Sequence, residues 1–597
     1  MAFFNGVPRL YSMVGRGASA PAPDHITASG GAAAAHPPGA VMDSAHVGDI
    51  VGALGTIRHD ETTAGRTRWQ RFRMLLTILG PGLIVMVGDN DAGGVATYAQ
   101  AGQNYGMALL WTLALLIPVL YVNQEMVVRL GAVAGVGHAR LIFARFGKFW
   151  GAFSVGDLFI VNALTIVTEF IGVALALSYF GLPKSISVPL AAVLLFAVVA
   201  GGSFRRWERF LFALIAINIV MIPMAIMVHP SISETAKGVI PSFPGGLNSE
   251  LLLLIVAIVG TTVAPWQLFF QQSNIVDKRL TPRWIRYERI DLWVGIVVVM
   301  IGAVAIMAAA AFGLAGTDAV GQFTDAGAVA QLLHDRMGPT VGALFAILLL
   351  DASLIGANAV GLATTYALGD TFRRRHSLHW KIGEAPAFYV GYALLLAVAA
   401  AVSFSPDNVL GLLTQGVQAL AGVLLPSATV FLVLLCNDRA VLGPWVNTTR
   451  QNIVAGVIVW SLVLLSLALT GATFFPDLTT EQLEMFFGIG ALVGIAGGFV
   501  IAGAKSRADR KTAAAVAAEL GGLDPGQVKD LDARPHDRAL RRAVLEEERD
   551  TWRTPALDTL DRPAWSPLRT AGMVALRGYL LIAVVLVVVK ITQSITG

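Results

Sequence analysis

The chain has 597 residues, of which 55% are hydrophobic and only 14% are charged, with a formal net charge of +4. Soluble domains carry roughly 25% charged residues, so this composition excludes a soluble globular protein and indicates an integral membrane protein. The single cysteine, Cys436, excludes an internal disulfide and argues against a thiolate metal site, and the small positive charge calls for no nucleic-acid partner.

Residues 1–70 are rich in Ala, Gly, Pro and polar residues without sustained periodicity, which predicts a disordered cytoplasmic tail. Apolar stretches long enough to cross a bilayer, which takes about 20 residues, follow this tail. We expect spans near 73–103, 106–128, 150–180, 186–202, 208–228, 249–275, 289–315, 338–368, 386–404, 409–436, 452–475, 483–504 and 569–593.

The spans divide the rest of the chain into three parts. A membrane core is expected at 71–504, with repeated halves at 73–228 and 249–436, then a charged cytoplasmic loop at 505–568, and an additional transmembrane helix with a short C-terminus in 569–597. Lys and Arg residues occupy alternate loops, for example Arg205, Arg206 and Arg209, whereas the loops at 102–106 and 404–408 contain none. Because cytoplasmic loops carry this excess, the pattern predicts a cytoplasmic N-terminus.

Two spans are interrupted in matching ways. The first contains GDNDAGG at 88–94, which places two carboxylates inside an apolar stretch, and the sixth contains TTVAPW at 261–266. Charge at membrane depth is costly and marks a functional site by default. Irregular backbone is tolerated there where it lines a cavity or is buried in protein. Two such breaks, five spans apart, predict an inverted-repeat transporter with its site at the midplane, whereas either break alone is also compatible with a simple kink.

Five motifs resemble those of the Nramp-type divalent metal transporters, in the same order and at the same spacing over roughly 75–475. The first is GPG at 80–82, followed by DAGG at 91–94 and QAG at 100–102. The others are the end of the second span at 124–135, FRRWERF at 204–210, GTTVAPWQLFFQQS at 260–273, and the stretch 413–447. The resemblance implies an all-α polytopic membrane protein with inverted five-helix repeats and broken helices 1 and 6, the LeuT-like fold, in the plasma membrane of a bacterium.

By this resemblance the transported ion is bound by Asp91 and by the backbone carbonyl groups of Gly88 and Thr261. The Asn and the Met of the family's site are here Gly94 and Ala264, which we take as selectivity positions. Loss of the thioether removes the soft ligand that favours transition metals, and loss of the Asn side chain widens the site. An all-oxygen site with room for water suits Mg²⁺, and both replacements match the branch of the family associated with magnesium.

The proton pathway of the family is also altered. Its two histidines in the sixth helix are here Trp266 and Gln271, and one of its two acids in the third helix is Ile166, so Glu169 alone remains. All ten His residues lie in tails, in loops or at span ends, so no imidazole is expected deep in the membrane to titrate near neutral pH. We therefore expect transport without proton coupling.

Other polar residues near the breaks are assigned roles by position. Glu169 is expected to face the cavity and attract the ion, with a structural hydrogen bond as the alternative. Asp89 and Asn90 flank Asp91, and one of them is expected to touch the ion or its waters. Gln415 in the tenth span is expected to reach the ion late in the transport cycle. Asp351 is expected to make a polar contact between helices.

Together these observations predict inward transport of a divalent cation by alternating access, most favourably Mg²⁺, with Mn²⁺ also accepted. The partners are the cation and the lipid bilayer. No cofactor is expected, and no motif indicates an enzyme. The alternatives are a proton-coupled Mn²⁺ or Fe²⁺ symporter that uses Met86 or Glu169, a cation-coupled organic-solute or amino-acid symporter, and a metal sensor that signals through 505–568. The acids of GDNDAGG would repel the carboxylate of an amino acid.

Overall fold

A computed structural model describes residues 39–62, 65–475, 478–519 and 548–561, with the isolated positions 563 and 578. Among these residues, those up to 237 form two short strands and ten α-helices. They are β1 (Ile50–Gly52), β2 (Gly55–Ile57), α1 (Arg68–Ile78), α2 (Pro81–Val87), α3 (Ala92–Tyr105), α4 (Leu110–Ala134), α5 (His138–Phe146), α6 (Lys148–Tyr179), α7 (Lys184–Ala200), α8 (Phe204–Ile217), α9 (Met221–Met227) and α10 (Ile232–Lys237).

The remaining described residues form ten more helices. They are α11 (Ser249–Thr262), α12 (Pro265–Asp277), α13 (Ile285–Gly313), α14 (Ala326–Met337), α15 (Pro339–Phe372), α16 (Pro386–Val402), α17 (Asp407–Cys436), α18 (Arg439–Leu442), α19 (Thr449–Phe474) and α20 (Thr480–Glu519). Helix α6 packs along α15, α11 packs along α17, and α13 contacts both α2 and α3.

Nine helices of the described residues are long and apolar enough to cross a membrane, or ten if α1 and α2, which bend by 49° at their junction, count as one span. Two further apolar helices, α7 and α16, are shorter. Each of the twelve spans expected between 73 and 504 overlaps one helix or consecutive helices, and the first covers the end of α1 together with α2 and α3. The span expected at 569–593 lies outside the described residues, apart from position 578.

Both expected breaks are present, which confirms the broken helices 1 and 6. In the first, α2 ends at Val87 and α3 begins at Ala92. In the second, α11 ends at Thr262 and α12 begins at Pro265, whose missing N–H and fixed φ suit the first position of a helix. Because α3 and α11 contact each other, the two interruptions lie close together within the bundle.

The N-terminal segment differs from the expectation of a disordered tail over residues 1–70. Strands β1 and β2 pair antiparallel, with Ile50 opposite Ile57, and both isoleucines are buried. Arginines that are distant in sequence then bind the carbonyl groups of this segment. Arg209 donates to the Ala53 oxygen at 2.9 Å and Arg279 donates to the Ala45 oxygen at 2.7 Å. Residues 39–62 are therefore ordered by tertiary contacts, which composition alone does not reveal.

A second peripheral segment, residues 548–561, meets the first. The Ala40 N–H donates to the Thr554 carbonyl at 3.0 Å, and the Thr554 hydroxyl donates to the Val441 carbonyl at 2.7 Å. This segment lies within 505–568, which was expected to be a charged loop, and it packs on the membrane core. We use the name hairpin face for the surface formed by residues 39–62 together with the start of α8 and the ends of α1 and α12.

Candidate functional site

The first break is shaped by hydrogen bonds that end one helix and begin the next. Gly88 caps α2, and Asp91 is the N-cap of α3, with extended backbone and a side chain that accepts the Gly94 N–H at 2.7 Å. An aspartate at this position satisfies an unpaired helix N–H, and its charge is favoured by the helix dipole. The carboxylate that the sequence placed at the centre of the site is thus held at the start of α3.

Oxygen atoms from both breaks converge beside Gly94. A Cβ atom placed on Gly94 would lie 2.8 Å from the Asp89 carbonyl oxygen, 3.2 Å from Thr261 Oγ1 and 3.5 Å from Asp91 Oδ1. Thr261 Oγ1 is buried and has no hydrogen-bond partner. We call this group of three oxygen atoms the oxygen pocket. A Cβ at position 94 would come closer to the Asp89 carbonyl oxygen than van der Waals contact allows, so any side chain larger than that of glycine would crowd the oxygen pocket.

Glu169 of α6 lies beside Asp91. Its Oε2 accepts the Ala92 N–H at 3.0 Å, and its Oε1 is buried without a partner. A Cβ on Gly356 would lie 2.7 Å from the Glu169 carboxyl carbon and 2.8 Å from the Asp91 Cβ. The two carboxylates can therefore approach because α15 has a glycine where it crosses them.

Three carboxyl groups lie at the first break without an ion-pair partner among the described residues. Asp89, Asp91 and Glu169 are all buried. Among the residues that the structure describes, the ion pairs that form involve none of these three carboxylates. Buried charge is strongly unfavourable unless an opposite charge accompanies it. A cation in the oxygen pocket would supply that charge.

Two glutamines that the sequence analysis did not single out support Asp89. The Gln267 amide donates to Asp89 Oδ1, and the Gln124 amide donates in turn to Gln267 Oε1 at 3.1 Å. The second oxygen of Asp89 has no partner. The sequence signal that could have identified Gln267 is its position directly after Pro265 and Trp266 of the second break, within an otherwise apolar stretch.

Asn90 and Gly88 occupy different sides of the first break. The Asn90 amide donates to the Val299 carbonyl of α13 at 3.1 Å, so this side chain is directed at α13. Its Oδ1 is buried without a partner. A Cβ on Gly88 would lie 3.3 Å from the ring of Trp266, so the indole packs against the first break. The structure thus joins Asp91, Glu169, Asp89 and Thr261 and places Asn90 beside them, against the neighbouring helix.

The remaining positions named from the sequence are buried in the same region. Ala264 is the N-cap residue of α12, and Ile166 is fully buried in α6. Gln271 is buried with both polar atoms of its amide unpartnered. The side chain of Gln415 lies outside the described residues. One turn later Gln418 packs directly on Gly93, at the start of α3, and its amide nitrogen is buried without a partner.

The ligand set of the oxygen pocket mixes side-chain and backbone atoms. Within the described part of the chain, no group of three or more His, Cys, Asp or Glu side chains is arranged to hold a metal ion. Asp91 Oδ1, Thr261 Oγ1 and the Asp89 carbonyl are all hard oxygen donors, the kind that Mg²⁺ and Mn²⁺ accept.

Comparison with known proteins gives one consistent result. A family profile described as natural resistance-associated macrophage protein-like, Nramp, matches residues 82–472. The chain is 31% identical over 409 residues to the divalent metal cation transporter MntH of Ralstonia nicotianae, which covers 64% of this chain and 88% of that protein. It is 28% identical over 423 residues to MntH of Brucella suis, with coverages of 67% and 90%.

Among solved structures, the crystal structure of a mutant of the Eremococcus coleocola manganese transporter is similar in fold. Its TM-score is 0.57 at 20% sequence identity, and the match covers 77% of this chain and 98% of that chain. Residues 39–62 and 548–561 lie outside the matched family region of 82–472.

Proposed function

Because this chain belongs to the Nramp-like family, whose relatives named above are divalent metal cation transporters, we propose that it carries Mg²⁺ into the cytoplasm and also accepts Mn²⁺. The observation that supports this proposal most directly is the oxygen pocket beside Gly94, with three buried carboxylates around it and no sulfur at position 264. The chain is not proposed to act as an enzyme.

Selectivity for a hard ion follows from the size and chemistry of the pocket. Mg²⁺ prefers six oxygen ligands and gives up its waters reluctantly, so it is held through one or two carboxylates plus water. Gly94 contributes no side-chain ligand that would replace such water, and Ala264 offers no soft ligand. Met86 does not replace the missing sulfur, because a Cβ on Gly295 of α13 would lie 2.8 Å from the Met86 Cβ and Cγ, which places this side chain against α13.

We further propose that no proton accompanies the ion. Trp266, Gln271 and Ile166 cannot titrate. The membrane potential supplies the driving force, since moving two positive charges inward is worth about 4.6 kcal/mol per 100 mV, or roughly three orders of magnitude in concentration at equilibrium. The hairpin face is assigned to the cytoplasm, because Arg205, Arg209 and other basic residues of the arginine-rich loops lie there.

Uptake into proteoliposomes that contain a pH-sensitive dye tests the proposal. We expect Mg²⁺ uptake that increases with an inside-negative potential while the lumen does not acidify. Mn²⁺ is expected to compete. Vesicles with the Asp91→Asn variant are the control for leakage. Uptake of Mn²⁺ without Mg²⁺ would contradict the proposed substrate preference.

The unpartnered oxygen of Glu169 beside Asp91 favours one alternative, a proton-coupled Mn²⁺ symporter in which this carboxyl carries the proton. The same vesicles distinguish it. Metal-dependent acidification of the lumen would establish the alternative and refute transport without protons.

A further inference from the structure

A cavity lies between three helices, away from the two breaks. Its volume is about 280 Å³, and residues of α4, α13 and α19 line it, among them Tyr121, Val122, Glu125, Arg129, Arg289 and Gln451. The oxygen pocket is a separate feature, because its atoms come from the first break and from α11. A water molecule occupies about 30 Å³ in the liquid, so this cavity can admit a polar group several times larger than water.

Two arginines of the cavity share one carboxylate. Arg129 Nε donates to Glu125 Oε2 at 2.9 Å, and Arg289 Nη2 donates to Glu125 Oε1 at 2.6 Å. Arg129 is buried, and its other nitrogens donate to the Trp445 carbonyl and to Asn447 Oδ1, both at 2.6 Å. Arg289 is 36% exposed, and Glu125 is its only hydrogen-bond partner among the residues that the structure describes. Since a guanidinium group has five N–H donors, Arg289 has donors left for a ligand.

A third arginine adds positive charge from the segment 548–561. The Arg549 guanidinium lies 4.2 Å from the ring centroid of Trp445, and the Trp445 indole N–H donates to the Arg549 carbonyl at 2.7 Å. The charge of Arg549 is repelled by the two arginines of the cavity and attracted by Glu125 and Asp550. Three guanidinium groups and two carboxylates leave one positive charge in excess. An anion is therefore the favoured ligand.

Exposed apolar side chains begin directly beside the cavity on two of its helices. They are Trp293, Val294 and Val297 of α13 and Ile453, Val454 and Val457 of α19. Trp293 also stacks on Tyr121 of the cavity, with ring centroids 4.8 Å apart. Trp and Tyr are enriched where the hydrocarbon of a bilayer meets its headgroups. The cavity is thus placed at headgroup depth, with apolar surface for acyl chains on both sides.

The cavity also lies on the basic side of the molecule. Arg283, just before α13, donates to the Glu61 carbonyl at 3.1 Å, so the start of α13 adjoins the hairpin face. We assigned that face to the cytoplasm, and anionic lipids give the cytoplasmic leaflet its negative surface potential. Basic pockets between transmembrane helices on this side of a membrane suit lipid headgroups.

We propose that this cavity binds the headgroup of an anionic phospholipid, with Arg289 donating to the phosphate oxygens. The planar guanidinium group suits phosphate because two parallel N–H groups can donate to it at once. Gln451 supplies a further donor, since its side-chain oxygen accepts the Thr448 N–H at 2.8 Å and its amide nitrogen remains for the ligand. The bound lipid connects α4, α13 and α19. This site does not depend on which ion the protein transports.

Native mass spectrometry of the purified protein in detergent tests the site, with dioleoylphosphatidylglycerol and dioleoylphosphatidylcholine as separate probes. We expect phosphatidylglycerol to bind at least tenfold more tightly than phosphatidylcholine. Arg289→Gln is expected to weaken phosphatidylglycerol binding at least tenfold, while Arg129 keeps Glu125 paired. Arg286→Gln removes an exposed arginine one turn earlier on α13. It is the matched control and is expected to change this binding less than threefold.

A second variant tests the cavity without changing any charge. Val122→Trp is expected to fill the cavity and to weaken phosphatidylglycerol binding at least tenfold, and melting temperatures without added lipid show that each variant folds. Equal weakening by Arg286→Gln and Arg289→Gln would indicate unspecific attraction to a basic surface and would overturn the proposal. Unchanged binding in Arg289→Gln would also overturn it. Inorganic phosphate is not expected to displace the lipid, and displacement would assign the cavity to a soluble phosphate compound instead.

Discussion

Replacing Asp91 with asparagine separates the charge of this residue from its hydrogen bond. The Asp91 side chain accepts the Gly94 N–H at 2.7 Å, and an amide oxygen accepts the same bond, so the start of α3 is retained. Alanine would remove this helix cap as well, which typically costs about 1 kcal/mol of stability. The asparagine variant therefore reports on the charge alone.

The magnitude follows from the position of this carboxylate in the oxygen pocket. Charges of +2 and −1 that are separated by about 4 Å attract by about 8 kcal/mol at an effective dielectric constant of about 20. Part of this attraction is offset by the hydration that the ion gives up, and the carboxyl groups of Asp89 and Glu169 remain in the variant. We expect a net loss of at least about 3 kcal/mol, which weakens binding by about two orders of magnitude.

Calorimetric titration of Mg²⁺ and Mn²⁺ into the purified protein measures the loss directly, and proteoliposome uptake measures its effect on transport. The melting temperature shows whether the variant folds. Asp351→Asn is the matched control, because Asp351 is also buried in the bundle but accepts a hydrogen bond from Asn218 at 2.9 Å. Binding by Asp91→Asn within threefold of the unmodified protein would refute the reasoning, and Asp89→Asn would then be the next variant to measure.

Three other predictions concern selectivity, coupling and pH. Gly94→Asn combined with Ala264→Met is expected to shift the uptake preference at least tenfold from Mg²⁺ toward Mn²⁺, and an unchanged preference in a competition assay would contradict it. We expect no lumenal acidification during uptake, either in the unmodified protein or in Glu169→Gln. If the unmodified protein acidifies the lumen and Glu169→Gln does not, transport is coupled to protons. Burial lowers the pKa of His376, but its hydrogen bond and ion pair with Asp370 outweigh burial and raise the pKa above its ordinary value of 6.5. Charged His376 therefore stabilises the fold below pH 6.5, and this contribution is lost as pH rises through the raised pKa. His376→Gln is expected to lower the melting temperature more at about pH 5.5 than at about pH 8.5, and an equal decrease at both would contradict it.

The sequence predicted those parts of the fold that are marked by residues close together in the chain. Glycine, proline and charge inside apolar stretches marked both breaks, and both are present in the structure. The helix start at Asp91 follows from the preference of aspartate for N-caps. The proximity of Glu169 to Asp91 required the resemblance to a known family, since no periodicity relates α3 to α6.

Side-chain direction within the helices was harder to predict. Gln418, which packs on Gly93, was not singled out from the sequence. The support of Asp89 by Gln267 depends on the angle at which α12 leaves the second break. Such contacts depend on how helices are rotated against each other, and a hydropathy pattern that is apolar on all sides carries no information about rotation.

The hairpin of residues 50–57 was missed for a different reason. Each of its strands has only three residues, and its surroundings have the composition of a disordered tail. An isolated two-stranded hairpin is marginally stable at best in water. Here the Arg205 guanidinium donates to the carbonyls of Gly52 at 3.2 Å and Gly55 at 3.1 Å, so a residue about 150 positions away stabilises it.

The contact between the two peripheral segments has a consequence for the order of biogenesis. The Ala40 N–H leaves the ribosome early, yet its acceptor is the carbonyl of Thr554. At roughly 5–20 residues per second, the acceptor is synthesised about half a minute or more after the donor. The partners Arg205 and Arg279 also follow late, after several helices have entered the membrane. The hydrogen bond of Ala40 is therefore one of the last contacts to form, and a nascent chain arrested before residue 548 lacks it although the partners of the hairpin are already present.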